Sequence, residues 1–288
     1  GQSELTRFIE STDLAPLEKS QARFVAALLA DAVAPSNSPL TNPVALRKLV
    51  DTGGMSLARG IRQFGEDMLT NRGLPRQVDS TPFKVGENIA TAKGAVVFRN
   101  EMFELLQFAP TTANIYARPL VMSPPQINKY YAIDLSPEKS LIQWIQDSGV
   151  NLFVISWRNP TREHRDWGLS DYALCLDLAV DVARKITGSP DVNMWGSCSG
   201  GITLAAYLGW LAARGEGHKV VNTNWAVCVL DMPSALDDTT LGLFTTPSAL
   251  RAAKASSRRK GVLSGQGMAR MFAWMRPNDL IWNYWVNN

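Results

Sequence analysis

Histidine and cysteine are scarce in this chain. Among its 288 residues only His164 and His218 can supply an imidazole, so chemistry that needs a base titrating near neutral pH rests on one of two positions. The cysteines number three, Cys175, Cys198 and Cys228; they cannot all pair, and their spacing fits no metal-ligand pattern. A reducing compartment is expected, with each thiol to be judged by its own neighbours. No apolar run reaches the roughly 18 residues of a membrane span, and the N-terminus has no basic stretch followed by an apolar one, so no secretory signal is read. A cytoplasmic protein without a transmembrane segment is expected. Charge of one sign is also in short supply: 29 Lys and Arg against 26 Asp and Glu leave a formal +3. That surplus is too small and too evenly spread for a nucleic-acid partner.

What is present is apolar material, 45% of the residues, with 19% charged. This excludes a disordered chain and allows a sizeable core. The length allows one large α/β domain, or a smaller one with an added segment, and no repeat or low-complexity tract interrupts it.

Three stretches differ in rhythm. Residues 1–82 form a helical N-terminal layer: Leu17 to Val33 repeats apolar residues every three or four positions, and Asn42-Pro43 is a cap followed by proline in a first turn. After the loop from Gly73 to Phe83, residues 83–246 change period. Ala95 to Phe98 and Phe103 to Phe108 predict paired strands across a polar turn near Asn100, and Leu120 to Met122 is a short strand stopped by Pro124-Pro125. Helices and strands then alternate: a helix capped at Ser136-Pro137-Glu138 and running to about Gln146, a strand from Val150 to Trp157, a helix from Ser170 to Ile186 ending at Gly188, a strand from Val192 to Trp195, a helix from Ser199 to Ala213 and a strand from Trp225 to Leu230. That alternation predicts a mostly parallel sheet flanked by helices. Residues 247–288 lack the rhythm, carry Trp274, Trp282 and Trp285, and are expected to start a cap or lid.

Chemistry concentrates at Trp195-Gly196-Ser197-Cys198-Ser199-Gly200-Gly201. A Gly-x-Cys-x-Gly between a strand and a helix is the pattern of a nucleophile elbow, whose turn is so sharp that side chains two positions either side of the nucleophile would collide. Cys198 would then stand at a helix start, where the positive end of the dipole favours thiolate over thiol and the Ser199 N–H points at an oxyanion. The competing description is a glycine-rich turn around a buried cysteine. A second oxyanion donor comes, in such folds, from the loop after an earlier strand. Here that loop is Ser123-Pro124-Pro125-Gln126-Ile127-Asn128-Lys129, which offers the N–H of Gln126 or of Ile127, unless it is merely a proline-terminated strand end. Backbone donors would make side-chain changes at Gln126 or Ile127 milder than distortion of the loop.

With these motifs on the page, the chain resembles the polyhydroxyalkanoate synthases, and among them the class II, medium-chain-length type. The resemblance is carried by Gly94 to Asn100, Arg118 to Lys129 with its Pro-Pro-Gln-Ile-Asn-Lys, Asp134 to Leu141, Ser156 to Thr161, Gly196 to Gly201 and Phe272 to Asn288. Gln126 and Ser199-Gly200-Gly201 are similar to class II, where class I relatives tend to carry tryptophan and a valine. The resemblance implies an α/β-hydrolase-like fold and transfer of (R)-3-hydroxyacyl groups from coenzyme A thioesters, through a cysteine acyl-enzyme, to a growing polyester with release of coenzyme A. It maps the nucleophile onto Cys198 and the oxyanion donors onto the backbones of Ser199 and Ile127, with no cofactor and no metal. Its implied partners are the 3-hydroxyacyl-CoA substrate, the polyester chain, a second copy in a homodimer, and the polyester granule surface with its associated proteins.

One departure stands out. Family members carry the triad aspartate and histidine on strands beyond the segment that ends here at Asn288, and the chain begins at Gly1 rather than Met. The expectation is an internal fragment with the C-terminal strands missing, inactive by itself. His218, in Gly215-Glu216-Gly217-His218-Lys219, reads as an exposed loop residue; His164, inside Thr161-Arg162-Glu163-His164-Arg165, reads as part of a solvated charge run. Asp231 follows a strand and reads as a turn or cap residue before a triad acid, Asp134 as a structural hydrogen-bonding group, and Cys175 and Cys228 as core. The Trp and Met between Met268 and Trp285 read as packed cap before an acyl-binding or granule-facing surface. Two rival functions stay open: a cysteine thioesterase or polyester depolymerase that uses water as acceptor, and a catalytically dead granule-surface or dimerisation partner.

Overall fold

The computed structural model describes residues 2–231 and 245–287. It divides into two units, one of residues 81–230 and one formed by 1–80 together with 231–288. The expected 83–246 segment therefore runs over residues 232–244, which lie outside the described residues.

In the unit 81–230 the apolar runs form strands β1 (Ala95–Arg99), β2 (Phe103–Phe108), β3 (Leu120–Ser123), β4 (Leu152–Trp157), β5 (Val192–Ser197) and β6 (Val220–Ala226). They build one sheet in the order β1-β2-β4-β3-β5-β6. The first two pairings, β1 with β2 and β2 with β4, are antiparallel; β4 with β3, β3 with β5 and β5 with β6 are parallel. The β1–β2 turn is made by Asn100, whose Oδ1 accepts from the amides of Met102 at 2.8 Å and Phe103 at 2.9 Å.

β4 reads as a continuous apolar run because both of its faces are covered. Phe153 and Ile155 join Val121, Val192 and Met194 on one face, against the helices at Leu169–Thr187 and Ser199–Ala213. Leu152 and Val154 join Met122 and Phe108 on the other, against Ile142 and Ile145 of the helix Leu141–Asp147. That last helix starts later than the sequence predicts. Pro137–Lys139 is an isolated 3-10 turn, and the cap is Ser140, whose Oγ accepts from the Gln143 amide at 2.9 Å. β6 starts earlier and stops earlier than Trp225 to Leu230. Its partner on one side is β5, and with no described strand on the other it is mostly exposed; extension stops where Val227 takes φ 53°.

The other unit is helical: α1 (Gln2–Ser11), α2 (Pro16–Ala32), α3 (Pro43–Asp51) and α4 (Met55–Thr70) from the N-terminal stretch. Numbered on in chain order, Leu141–Asp147, Leu169–Thr187 and Ser199–Ala213 are α5, α6 and α7, and the last stretch supplies α8 (Pro247–Lys260), α9 (Gly265–Met275) and α10 (Asn283–Asn287) after a π-turn at Asn278–Trp282. Asn42 caps α3 as expected, its Oδ1 accepting from Val44 and Ala45. The last stretch hides its helical period because a C-terminal αL glycine at 261 and Pro277 cut it into short pieces. Within this unit Trp285 meets Phe64 of α4 edge-on at 5.6 Å and Trp282 at 5.2 Å, and Lys48 of α3 donates to the Asn287 carbonyl at 3.1 Å.

α6, α7 and the start of β6 are tied by a half-buried polar cluster. Asp177 Oδ1 accepts from the Tyr207 hydroxyl at 3.0 Å and from Lys219 Nζ at 3.0 Å, and Lys219 also meets Glu216 at 2.9 Å. Tyr207 is fully buried, and burial together with the Asp177 charge pushes its hydroxyl far above the ordinary 10.0. The neutral phenol is thus favoured in the folded state, so this contribution is intact below about pH 10 and is lost as alkali rises. Asp177→Ala leaves the Tyr207 hydroxyl without its acceptor and is expected to cost about 1–3 kcal/mol in urea unfolding. The control is Asp166→Ala, at a 91% exposed side chain, expected within about 0.5 kcal/mol of the parent. Equal effects would mean that the cluster contributes nothing.

Candidate active site

β5 ends at Ser197 and α7 begins at Ser199, so the whole reversal from strand to helix falls on Cys198. Its backbone sits at φ 50°, ψ −124°, a region that costs a non-glycine residue about 1–3 kcal/mol and persists only where the surroundings impose it. Here they do. The Cys198 amide donates to the Ala226 carbonyl at 3.0 Å, and the Cys198 carbonyl accepts from Gly201 at 3.0 Å and Ile202 at 3.3 Å.

The glycines are required by contact. A Cβ on Gly200 would lie 2.2 Å from the Ser123 carbonyl oxygen and 2.5 Å from that of Pro124, both backbone atoms that cannot swing aside. A Cβ on Gly201 would lie 2.0 Å from Cys228 Sγ. The first turn of α7 is therefore pressed on one side against the loop after β3 and on the other against the segment after β6. This arrangement, a sharp strand-to-helix turn at the C-terminal edge of a sheet with its central residue held out of both elements, has the backbone geometry that a nucleophile elbow requires.

Two sets of N–H groups border Cys198. Ser199 is the first residue of α7, and its amide is one of the four that a helix leaves without an intrahelical partner. In the loop after β3 the Gln126 amide is engaged, donating to Ser199 Oγ at 3.3 Å. Of the two candidates from sequence, that leaves the Ile127 amide, which donates to none of the described residues. The loop is pinned elsewhere by Ser123 Oγ donating to the Gly200 carbonyl at 3.2 Å, Trp157 Nε1 to the Pro124 carbonyl at 2.9 Å, and Gln126 Nε2 to Thr203 Oγ1 at 2.8 Å. Sequence inspection passes over Thr203. The available signal is its spacing, four residues after Ser199 and so on the same face of α7.

The remaining thiols differ. Cys175 is buried on α6, and burial, reinforced by Asp171, pushes its thiol up to about 11. Cys228 is not on a strand as expected but two residues past the end of β6. It is half-buried, with Sγ 3.3 Å from the carbonyl oxygens of Gly196 and Ala226.

Neither histidine hydrogen-bonds to Cys198 among the described residues. His218 is exposed and precedes β6, whereas Cys198 follows β5; since Val192 is paired with Val220 in parallel, the two lie at opposite edges of the sheet, roughly 20–25 Å apart at about 3.3 Å per residue. His164 corrects the sequence expectation of a solvated charge run. It is only 7% exposed, lies against Trp167 with ring centroids 4.2 Å apart, and accepts the Thr161 amide on Nδ1 at 2.9 Å. Nδ1 being an acceptor, Nε2 carries the proton, and it lies 3.6 Å from Glu101. Asp134 is buried and structural: its Oδ2 accepts from Ala92 at 3.0 Å and its carbonyl from Ala90 at 2.8 Å. Asp231 is exposed, five residues after β6.

The crowding around the elbow makes two glycines separable. Gly200→Ala and Gly201→Ala are both expected to lower the melting temperature by several degrees. Adding Cys228→Ala should recover most of the loss for Gly201, because the obstructing atom is a side-chain sulfur, and none for Gly200, where it is backbone. Recovery of both, or of neither, would contradict the packing described. In the parent, brief iodoacetamide treatment followed by peptide mass spectrometry should label Cys198 ahead of Cys175, and dominant labelling of Cys175 would remove the elbow from consideration.

The family described as poly-beta-hydroxybutyrate polymerase (PhaC) N-terminus matches residues 1–145. Poly(3-hydroxyalkanoate) polymerase 1 of Ectopseudomonas oleovorans is 49% identical over 287 residues, covering 100% of this chain and 50% of that protein. The poly(3-hydroxyalkanoate) polymerase subunit PhaC of Cupriavidus necator is 38% identical over 290 residues, covering 99% and 48%. The chain spans about half the length of the curated relatives it matches. Among solved structures it is similar to brefeldin A esterase, a bacterial homologue of human hormone sensitive lipase, at 14% identity over 77% of this chain and 61% of that one, with a TM-score of 0.34. Residues 1–145 are a little over half of 288, and the chain belongs to the poly-beta-hydroxybutyrate polymerase (PhaC) family.

Proposed function

We propose that this chain carries the acyl-capturing part of a class II, medium-chain-length poly(3-hydroxyalkanoate) polymerase, with Cys198 as nucleophile and the amides of Ser199 and Ile127 as oxyanion donors. The observation that carries the proposal is the left-handed backbone of Cys198, a strained geometry at the one strand-to-helix turn that presents a thiol. Strain of this kind is kept where a site needs it.

In this reading the Cys198 sulfur attacks the carbonyl of an (R)-3-hydroxyacyl-CoA. The carbonyl oxygen takes the negative charge between the Ser199 and Ile127 N–H groups. Collapse breaks the bond to the coenzyme A sulfur, which leaves with the proton the Cys198 thiol gave up, and the acyl group stays on Cys198. One thioester replaces another, so the step costs little and preserves activation for ester formation. Elongation follows when a hydroxyl attacks that acyl group, forming the ester C–O bond and returning the Cys198 sulfur. The hydroxyl is un-ionised near neutral pH and must pass its proton to a base, which neither His164 nor His218 is placed to be. Residues 1–82 would form the helical layer, residues 247–288 the start of a cap, and the working protein a homodimer at the polyester granule surface, with its associated proteins as neighbours.

The test is intact-mass spectrometry of the chain with 3-hydroxydecanoyl-CoA. The expected result is one acyl adduct, mapped to Cys198 and absent in Cys198→Ala, with about one equivalent of coenzyme A released and no sustained turnover. Continued release with free 3-hydroxydecanoate would instead indicate a thioesterase. An adduct elsewhere, or none, would overturn the assignment.

A further inference from the structure

Gln126 and Ser199 are joined twice, and the second link runs through a residue with no other evident task. The Gln126 amide donates to Ser199 Oγ at 3.3 Å. The Gln126 side chain donates through Nε2 to Thr203 Oγ1 at 2.8 Å, and Thr203 Oγ1 donates to the Ser199 carbonyl at 3.0 Å. A hydroxyl has one proton to give. Since that proton goes to Ser199, Thr203 can only accept from Gln126, which fixes the Gln126 amide with its nitrogen toward α7. Thr203 is 2% exposed, so water does not readily replace either partner.

Resting on the assignment of Cys198, Ser199 and Ile127 above, we infer that Gln126 and Thr203 form a latch that sets the position of the Ile127 oxyanion donor. The Ile127 N–H belongs to the peptide unit that begins at the Gln126 carbonyl carbon. With Pro124 and Pro125 restricting the backbone on one side, and Gln126 held by both its amide and its side chain, little freedom remains at the residue that aims this peptide. Thr203 is a positioning residue in this scheme, touching no substrate atom. Its value lies in a donor already aimed where negative charge develops, without reorganisation during the reaction. The side chain of Gln126 thereby gains a role that backbone donation alone would not give it.

Two reactions of the same sulfur separate this role from a general effect on folding. Acylation by 3-hydroxydecanoyl-CoA passes through an oxyanion; alkylation by iodoacetamide at Cys198 does not. Thr203→Val, which removes the hydroxyl and keeps the shape, should slow acylation by about 10- to 100-fold, the scale of misplacing or partly losing one donor. It should leave the alkylation rate within about twofold. Thr203→Ser should restore acylation. Gln126→Leu should match Thr203→Val, and the double variant should be no slower than either single one, as for two halves of one bond. Hydrogen exchange of the peptide covering residues 123–129, read without substrate, should quicken in Thr203→Val and return in Thr203→Ser. If the parent is not acylated, the functional assignment fails and the exchange result alone decides the latch. If the parent is acylated and the Val and Leu variants keep its rate, or if exchange does not change, the latch is refuted. Equal slowing of acylation and alkylation would refute it as well, since that would mark a general disturbance of the elbow.

Discussion

The close approach of Gly200 to the carbonyls of Ser123 and Pro124 is the constraint on which the rest of the site depends. It exists because β3 and β5 are neighbours in register, with Ser123 opposite Gly196. Any loop leaving β3 must therefore pass over the first turn of the helix that leaves β5. Given that register, the elbow needs glycine at the crossing and the loop needs a stiff backbone, which Pro124 and Pro125 provide. The strain at Cys198 is sustained by these same neighbours. Between the loop on one side and Cys228 on the other, α7 has no room to begin elsewhere, and Cys198 absorbs the reversal.

Much of this was legible in the sequence because it is local. A Gly-x-Cys-x-Gly between a strand-like apolar run and a helical one states both the turn and its central residue, and the β1–β2 hairpin is visible through Asn100. The errors have a common physical origin. Ser136-Pro137-Glu138 looks like a cap but Ser140 does the capping, since two candidate caps four residues apart are distinguished only by where Ile142 and Ile145 must point to reach the core. The polar first half of β6 hides its start from the sequence, and it is tolerated because no described strand lies beyond it. The neighbours of His164 in sequence are charged and suggest a solvated residue, whereas its neighbours in space are Trp167 and the Thr161 amide.

Contacts between distant segments were the least legible. Nothing near Thr203 in sequence points to Gln126, 77 residues away, and nothing near Gly201 points to Cys228. The second case shows how a strand end can serve a site it does not belong to. At Val227 the chain leaves β6 through a left-handed backbone, unusual for a β-branched residue, and this returns the Cys228 sulfur to the Gly196 carbonyl. A thiol that composition alone assigns to the core is thus part of the wall that holds the elbow.

The geometry divides the proposed reaction unevenly along the chain. The groups proposed for acyl capture lie between Ser123 and Thr203: the Cys198 sulfur, the Ser199 and Ile127 amides, and the hydrogen bonds that join Gln126 to Ser199 and Thr203. Losing one such donor typically costs about 100- to 1000-fold. Transfer to a hydroxyl adds a requirement of a different kind, since an alcohol near neutral pH must lose its proton as it attacks, and a positioned base is worth about 100- to 10,000-fold. His164 is committed to Thr161 and lies against Trp167, and His218 stands at the far edge of the sheet. Acyl capture and acyl transfer, as proposed, thus make different chemical demands, and only the first is matched to groups assigned between Ser123 and Thr203.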